Sequence, residues 1–214
     1  MAIDLRAGFN AVRDQGRRPT CAAFAAAAAH AFALSDEVIL SPQWVDFYAQ
    51  SRFPGKGEGM SFNQLGDVIQ ADGQVLEADC PYQPFPPSHD WLPTNGLTGS
   101  HYASLLRHDA LPEKLRSVVG LGIPIILGVA ITPEFLIGGE GAPKRINHLA
   151  QPPGRSAPGH AIVLCGTASE NGLPYLLVRN SWGQAWGDGG YCWISEDALT
   201  IMAVDAITLQ ETIL

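Results

Sequence analysis

The run CAAFAAAAAHAFAL, residues 21–34, constrains this chain more than any other stretch. Alanine has the highest intrinsic helix propensity, and nothing in the run breaks a helix. The residues are apolar nearly all round, so the helix they form must be covered on several sides. Such a helix needs a substantial protein around it. The chain has 214 residues, 46% hydrophobic and 16% charged, enough for one large domain or two small lobes sharing a cleft.

What surrounds the helix changes character along the chain. SPQWVDFYAQ offers a serine cap followed by proline at the first helical position. SFNQLGDVIQADG repeats that logic, with Ser61 as cap and Gly73 as stop. CPYQPFPPSHDWLPTNG implies no regular structure, and LPEKLRSVVGLG reads as one more helix. After it come IPIILGVAI, HAIVLCGT, YLLVRNS, GYCWIS and AVDAITLQ, short runs rich in β-branched and aromatic residues. A helical front half therefore adjoins a strand-rich back half. This is an α+β arrangement, and the seam between two such lobes is a natural cleft. The segment EFLIGGEGAPKRINHLAQPPGRSAPG reads as a long loop, either functional or a tolerated surface insertion.

Composition narrows the partners. The formal charge is −8 and no basic stripe appears, so no nucleic acid is expected. No apolar run approaches the roughly 20 residues that span a bilayer, so no membrane is expected. The start MAIDLRAGFN has neither the basic opening nor the apolar centre of a secretory signal. A cytoplasmic location follows as the expectation, with export by a signal-independent route as the other option. Cys21, Cys80, Cys165 and Cys192 are widely spaced and form no Cys-x-x-Cys pair, which suggests reduced thiols and no metal site. The high alanine, glycine and proline content hints at a bacterial source.

Within RDQGRRPTCAAF, Thr20 is the expected N-cap and Cys21 falls in the first helical turn. Unpaired N–H groups and the helix dipole there favour a negative charge, so the thiol should ionise more easily. Taken alone, such a cysteine is more often a small buried side chain. A nucleophile also needs a base and an orienting group. His30 sits nine residues along the same helix, too far to reach Cys21, and reads as a core histidine. His89, His101, His108 and His148 lie in polar or irregular contexts. His160 opens HAIVLCG, where strand alternation puts His160, Ile162 and Leu164 on one face and Ala161, Val163 and Cys165 on the other. Asn180, in NSWGQAWG, can accept a hydrogen bond from a histidine ring, and a neighbouring tryptophan can keep water from it.

Four segments together resemble the papain-like cysteine proteases. They are VRDQG, with Gln15 six residues before Cys21; GMSFNQLGDVIQADGQVLEADCPY; GHAIVLCG; and YLLVRNSWGQAWGDGGYCWI, the most specific of them. His160 lies 139 residues after Cys21, within the family's usual separation of about 130–150, and Asn180 lies 159 after it, slightly beyond that range. The resemblance implies a single domain over 1–214 with a two-lobed fold. A helical lobe would cover about 11–105, and a β-barrel-like lobe about 106–214 with the N-terminal strand. It implies a cysteine endopeptidase acting on peptide or isopeptide bonds through an acyl-thioester on Cys21. His160 would be the general acid and base, Asn180 its orienting group, Trp182 the cover over their bond, and Gln15 a donor to the oxyanion. Gly59 is the candidate for pairing with extended substrate backbone, Met60 for a pocket wall, and Gly159 for an open second pocket. Neither cofactor nor metal is implied. The expected partners are a protein or peptide substrate in extended conformation and a separate inhibitor or regulatory protein.

The chain also departs from the family pattern. Where the family has Cys-Gly-Ser-Cys-Trp, this sequence reads Arg18, Pro19, Thr20, Cys21, Ala22. The first cysteine, normally part of a disulfide, is absent. Pro19 should stiffen a pocket wall, and alanines in place of the tryptophan should let the lobes close more tightly. Arg17 and Arg18 are expected near the cleft, either selecting acidic residues or forming a solvated basic turn. Only 14 residues precede Gln15, too few for the family's prosegment, which suggests a trimmed domain or restraint by specificity, partners or compartment. An acyltransferase or transpeptidase using the same triad, and a catalytically silent binding module, are the competing functions.

Overall fold

A computed structural model describes residues 2–34, 37–55, 59–88, 91–93, 96–137 and 144–212. Helix α1 (Cys21–Leu34) is covered as its composition requires. Helices α2 (Pro42–Arg52) and α3 (Phe62–Asp72) flank it, and strands β3 (Ile125–Ala130), β5 (Gly159–Glu170) and β8 (Ala203–Thr212) lie against it. Ala22, Ala25, Ala26 and Ala29 meet Val45, Leu65, Ile126, Val163 and Ile207 in one buried cluster. Small side chains bring the helix axis close to the sheet. The larger residues of the partners fill the space between.

The neighbouring helices start and stop where the sequence signals predict. Ser41 accepts a hydrogen bond from Trp44 N at 3.1 Å, with Pro42 opening α2. Ser61 and Gln64 form a reciprocal capping box on α3. Gly73 ends that helix at φ +63°, a conformation that favours glycine.

The sheet runs in the order β2-β8-β3-β5-β6-β7-β4, with β1 (Ile3–Asp4) pairing the side of β5. Here β2 is Tyr102–His108, β4 Arg145–Ile146, β6 Leu173–Arg179 and β7 Tyr191–Ser195. All pairings are antiparallel except β4 with β7. Among the described residues β2 and β4 do not pair with each other, so the β-rich lobe is an open sheet and not a closed barrel. Strand β2, unanticipated in the sequence, crosses the expected lobe boundary and pairs along its length with β8, from Tyr102 opposite Thr212 to His108 opposite Ala206.

Strand β5 divides two cores, and its alternation is the one expected. Ala161 and Val163 face α1. Ile162 and Leu164 face a second core with Leu127, Phe135, Trp186 and Leu199, closed by α4 (Pro112–Val119) and α6 (Glu196–Met202). The pairing register with β6 shifts between Leu164 and Gly166, and Cys165 packs in a small separate cluster with Val12, Leu177 and Tyr191. Among the described residues no helix is long and apolar enough to cross a membrane.

Candidate active site

Two elements from distant parts of the chain meet at one cleft. Cys21, at the start of α1, and His160, near the start of β5, both border a cavity of about 350 Å³. Pro19, Gly59, Met60, Gly159 and Asp205 complete its rim. Cys21 is partly exposed. Of the expected substrate-binding residues, Gly59, Met60 and Gly159 therefore lie beside the thiol and the imidazole. Trp182 lies behind the ring. Gly59 has φ +94°, a backbone conformation that favours glycine, while a Cβ there would only just touch the carbonyl oxygen of Pro19 at 3.4 Å.

His160 is held from behind. Its Nε2 bonds Asn180 Oδ1 at 2.7 Å, and the N–H of Ser181 donates to the same oxygen at 2.8 Å. The Ser181 N–H can only donate, which identifies that atom as oxygen, and an amide oxygen only accepts. Nε2 therefore carries the ring hydrogen, and Nδ1 is the basic nitrogen. The Trp182 ring packs over His160 with centroids 4.8 Å apart. Phe135, on the short helix α5 (Pro133–Leu136), adds an edge contact to His160 at 5.9 Å and packs on both Trp182 and Trp186. Phe135 is fully buried. It belongs to the segment read from sequence as a long loop, of which 138–143 lie outside the described residues. Its sequence signal is the Thr-Pro start at 132–133, the same pattern that Ser41-Pro42 gives α2.

Charge states follow from this burial. Desolvation pushes His160 down to about 4, opposed by the Asn180 bond. Burial also raises the Cys21 thiol, outweighing the N–H groups of Ala161, Ala22 and Cys21 itself, which lower it. The helix-start effect expected from sequence is present. It is the smaller of the two, because burial against the surrounding cluster outweighs it, and the net shift of the thiol taken alone is opposite to the one predicted.

Gln15 is buried and fixed at both ends of its amide. Oε1 accepts from Ser181 Oγ at 2.6 Å, and Nε2 donates to the carbonyl of Arg18 at 2.7 Å. That bond uses one of the two amide hydrogens. Thr20 precedes the helix as expected, with its carbonyl accepting from Phe24 N at 3.1 Å. Its hydroxyl, however, bonds Tyr82 Oη at 2.9 Å. Arg18 is neither solvated nor offered to a substrate. It is 2% exposed, pairs with Asp46, and donates to Gln43 Oε1 and the Gln83 carbonyl, each at 2.8 Å. Arg17 is exposed.

The remaining histidines serve elsewhere. His30 is fully buried and bonds Gln74 Oε1 through Nδ1 at 2.6 Å, a core histidine as expected. His108 bonds Thr208. His148 is exposed, His101 is half-buried, and His89 lies outside the described residues. All four cysteines are free, and among the described residues no group of three or more His, Cys, Asp or Glu is placed to hold a metal ion.

Comparison with known proteins agrees with this geometry. Bromelain from Ananas comosus, solved in complex with the E64 inhibitor, is 26% identical, with a TM-score of 0.74 over 98% of each chain. Xylellain, a cysteine protease from Xylella fastidiosa, shares the fold at a TM-score of 0.82 and 23% identity, covering 100% of this chain and 86% of that one. In sequence, cysteine proteinase COT44 of Brassica napus is 28% identical over 87% of this chain and 56% of its own length. A viral cathepsin of Epiphyas postvittana nucleopolyhedrovirus is 27% identical over 88% and 57%. The chain thus spans little more than half of these relatives. They come from a plant and a virus, so the compositional hint of a bacterial source finds no support in them. The model of the papain family cysteine proteases matches residues 1–208, and the chain belongs to that family.

Proposed function

We propose that this chain is a thiol endopeptidase that cleaves peptide or isopeptide bonds through an acyl-thioester on Cys21. The observation carrying this reading is the His160–Asn180 bond of 2.7 Å beneath Trp182, which leaves Nδ1 basic on a cleft that also holds Cys21. The Cys21 proton passes to Nδ1 as Sγ attacks the carbonyl carbon. The oxyanion takes the Cys21 backbone N–H and the second Nε2 hydrogen of Gln15. His160 then gives the proton to the leaving amine as the C–N bond breaks. Water, deprotonated by His160, hydrolyses the thioester and regenerates the thiol.

Burial disfavours a lone imidazolium and a lone thiolate, but moving one proton between the two creates no net charge in the cleft. Thiol with neutral imidazole, and thiolate with imidazolium, bind the same number of protons. The pair therefore has two macroscopic steps, and both forms share one pH window. Turnover should rise through the lower step and fall through the upper one. A profile flat across this range would contradict the pairing.

An extended peptide would lie along Gly59 and Met60, with Gly159 leaving the second pocket open on the opposite rim. The E64 inhibitor, bound by bromelain, is a direct probe of this site. The test is Cys21→Ala: turnover of an unbiased peptide mixture should vanish while thermal unfolding stays unchanged. Residual cleavage at the parent rate would refute the assignment. An added amine acceptor distinguishes hydrolysis from acyl transfer, and unreactive Cys21 toward a mild alkylating agent would favour a binding module. A separate inhibitor or regulatory protein would occupy the same cleft, and activity is proposed to be cytoplasmic.

A further inference from the structure

The loop from Gln15 to Cys21 carries both oxyanion donors of the proposed mechanism, and one buried side chain grips it. We infer that Arg18 is a positioning residue for the anion pocket, clamping the loop so that the Gln15 amide keeps its catalytic orientation. This rests on the reading of Gln15 as an oxyanion donor.

The grip has two parts. Within the loop, the Arg18 carbonyl receives one Nε2 hydrogen of Gln15 at 2.7 Å. A carbonyl only accepts, so a flipped amide would set oxygen against oxygen; Ser181 Oγ, which can donate or accept, does not by itself decide between the two orientations. The Arg18 carbonyl does. Outside the loop, the Arg18 guanidinium is locked against α2 by Asp46 and by Gln43 Oε1 at 2.8 Å, and against the segment between α3 and β2 by the Gln83 carbonyl at 2.8 Å. It also lies over the Tyr82 ring, 5.1 Å from the centroid. Tyr82 reaches back to the same loop: its hydroxyl donates to the Gln15 carbonyl at 2.8 Å and meets Thr20 Oγ1 at 2.9 Å. Both ends of the loop are thus tied to one ring, and the ring is covered by the arginine of its middle. Charged groups this deeply buried orient one another strongly, because their fixed partners replace water.

The test replaces both charges at once, Arg18→Met with Asp46→Leu, since removing a buried pair together avoids stranding either charge. Turnover is measured per titratable Cys21 thiol, beside the rate of Cys21 alkylation, which needs no oxyanion pocket. The clamp predicts that kcat falls about 10-fold or more with KM and alkylation nearly unchanged. It also predicts that Gln15→Ala, worth about 10²–10³ in the parent, costs far less in the double variant. Tyr82→Phe, which keeps the packing, should lower kcat in the same selective way and serves if the double variant does not fold. Unchanged kcat per thiol in the variant that folds, with the full Gln15→Ala loss retained, would overturn the clamp. No Gln15→Ala loss in the parent would instead fault the anion-pocket reading and the clamp with it.

Discussion

The two halves of the site are held by opposite means. On the cysteine side, Gln15, Arg18, Thr20, Asp46 and Tyr82 form a buried polar network that orients a loop. On the histidine side, Trp182 and Phe135 pack on the ring with Trp186 behind them, and among the described residues Asn180 is its one side-chain hydrogen-bond partner. The proposed mechanism would account for the difference. An oxyanion pocket there would need dipoles with fixed direction, which hydrogen bonds provide. An imidazole that shuttles a proton would be better served by a dry cover that shields one bond and adds no competing partner.

The comparison can be broken at either side, and the expected effects differ in kind. The largest is on the polar side: Gln15→Ala should lower kcat by about 10²–10³ with little change in Cys21 alkylation, beside a loss of stability of about 1–3 kcal/mol from the stranded Ser181 hydroxyl and Arg18 carbonyl. Loss of alkylation together with turnover would show that Gln15 supports the nucleophile and not the oxyanion. On the ring side, Phe135→Ala should act mainly on stability, removing about 3–5 kcal/mol through the cavity it leaves, as denaturant unfolding would measure. An unchanged unfolding midpoint would mean that Trp182 and Trp186 close over the gap.

The smallest effect concerns pH and tests how dry the histidine side is. In Cys21→Ala protein, His160 and His30 are both buried with lowered pKa values, His160 at about 4 against an ordinary 6.5. The unfolded chain takes up protons at these sites first. Stability should therefore hold above pH 6.5 and decline as pH falls toward 4. His160→Asn in that background should weaken this acid dependence; an identical slope would place it elsewhere.

Legibility in the sequence followed the range of the interactions. Helix starts at Ser41-Pro42 and Ser61 were readable because caps act within one turn. The pairing of His160 with Asn180 was readable because both sit in distinctive local signatures. Strand β2 was not, since its partner β8 lies 100 residues away at the His108–Thr208 contact. Arg18 looked like a surface charge because Asp46 comes from another helix, 28 residues on. The upward push on the Cys21 thiol taken alone had no local signal for the same reason: the helix start is local, whereas the burial comes from residues distant in the chain.

The central claim is that Cys21 and His160 share one proton. The pH dependence of Cys21 alkylation, measured in the parent and in His160→Ala, tests it most directly. The account predicts a parent that reacts on a plateau reaching well into acid pH, and a variant that reacts only above the ordinary thiol range. A single alkaline step, the same with and without the imidazole, would contradict it.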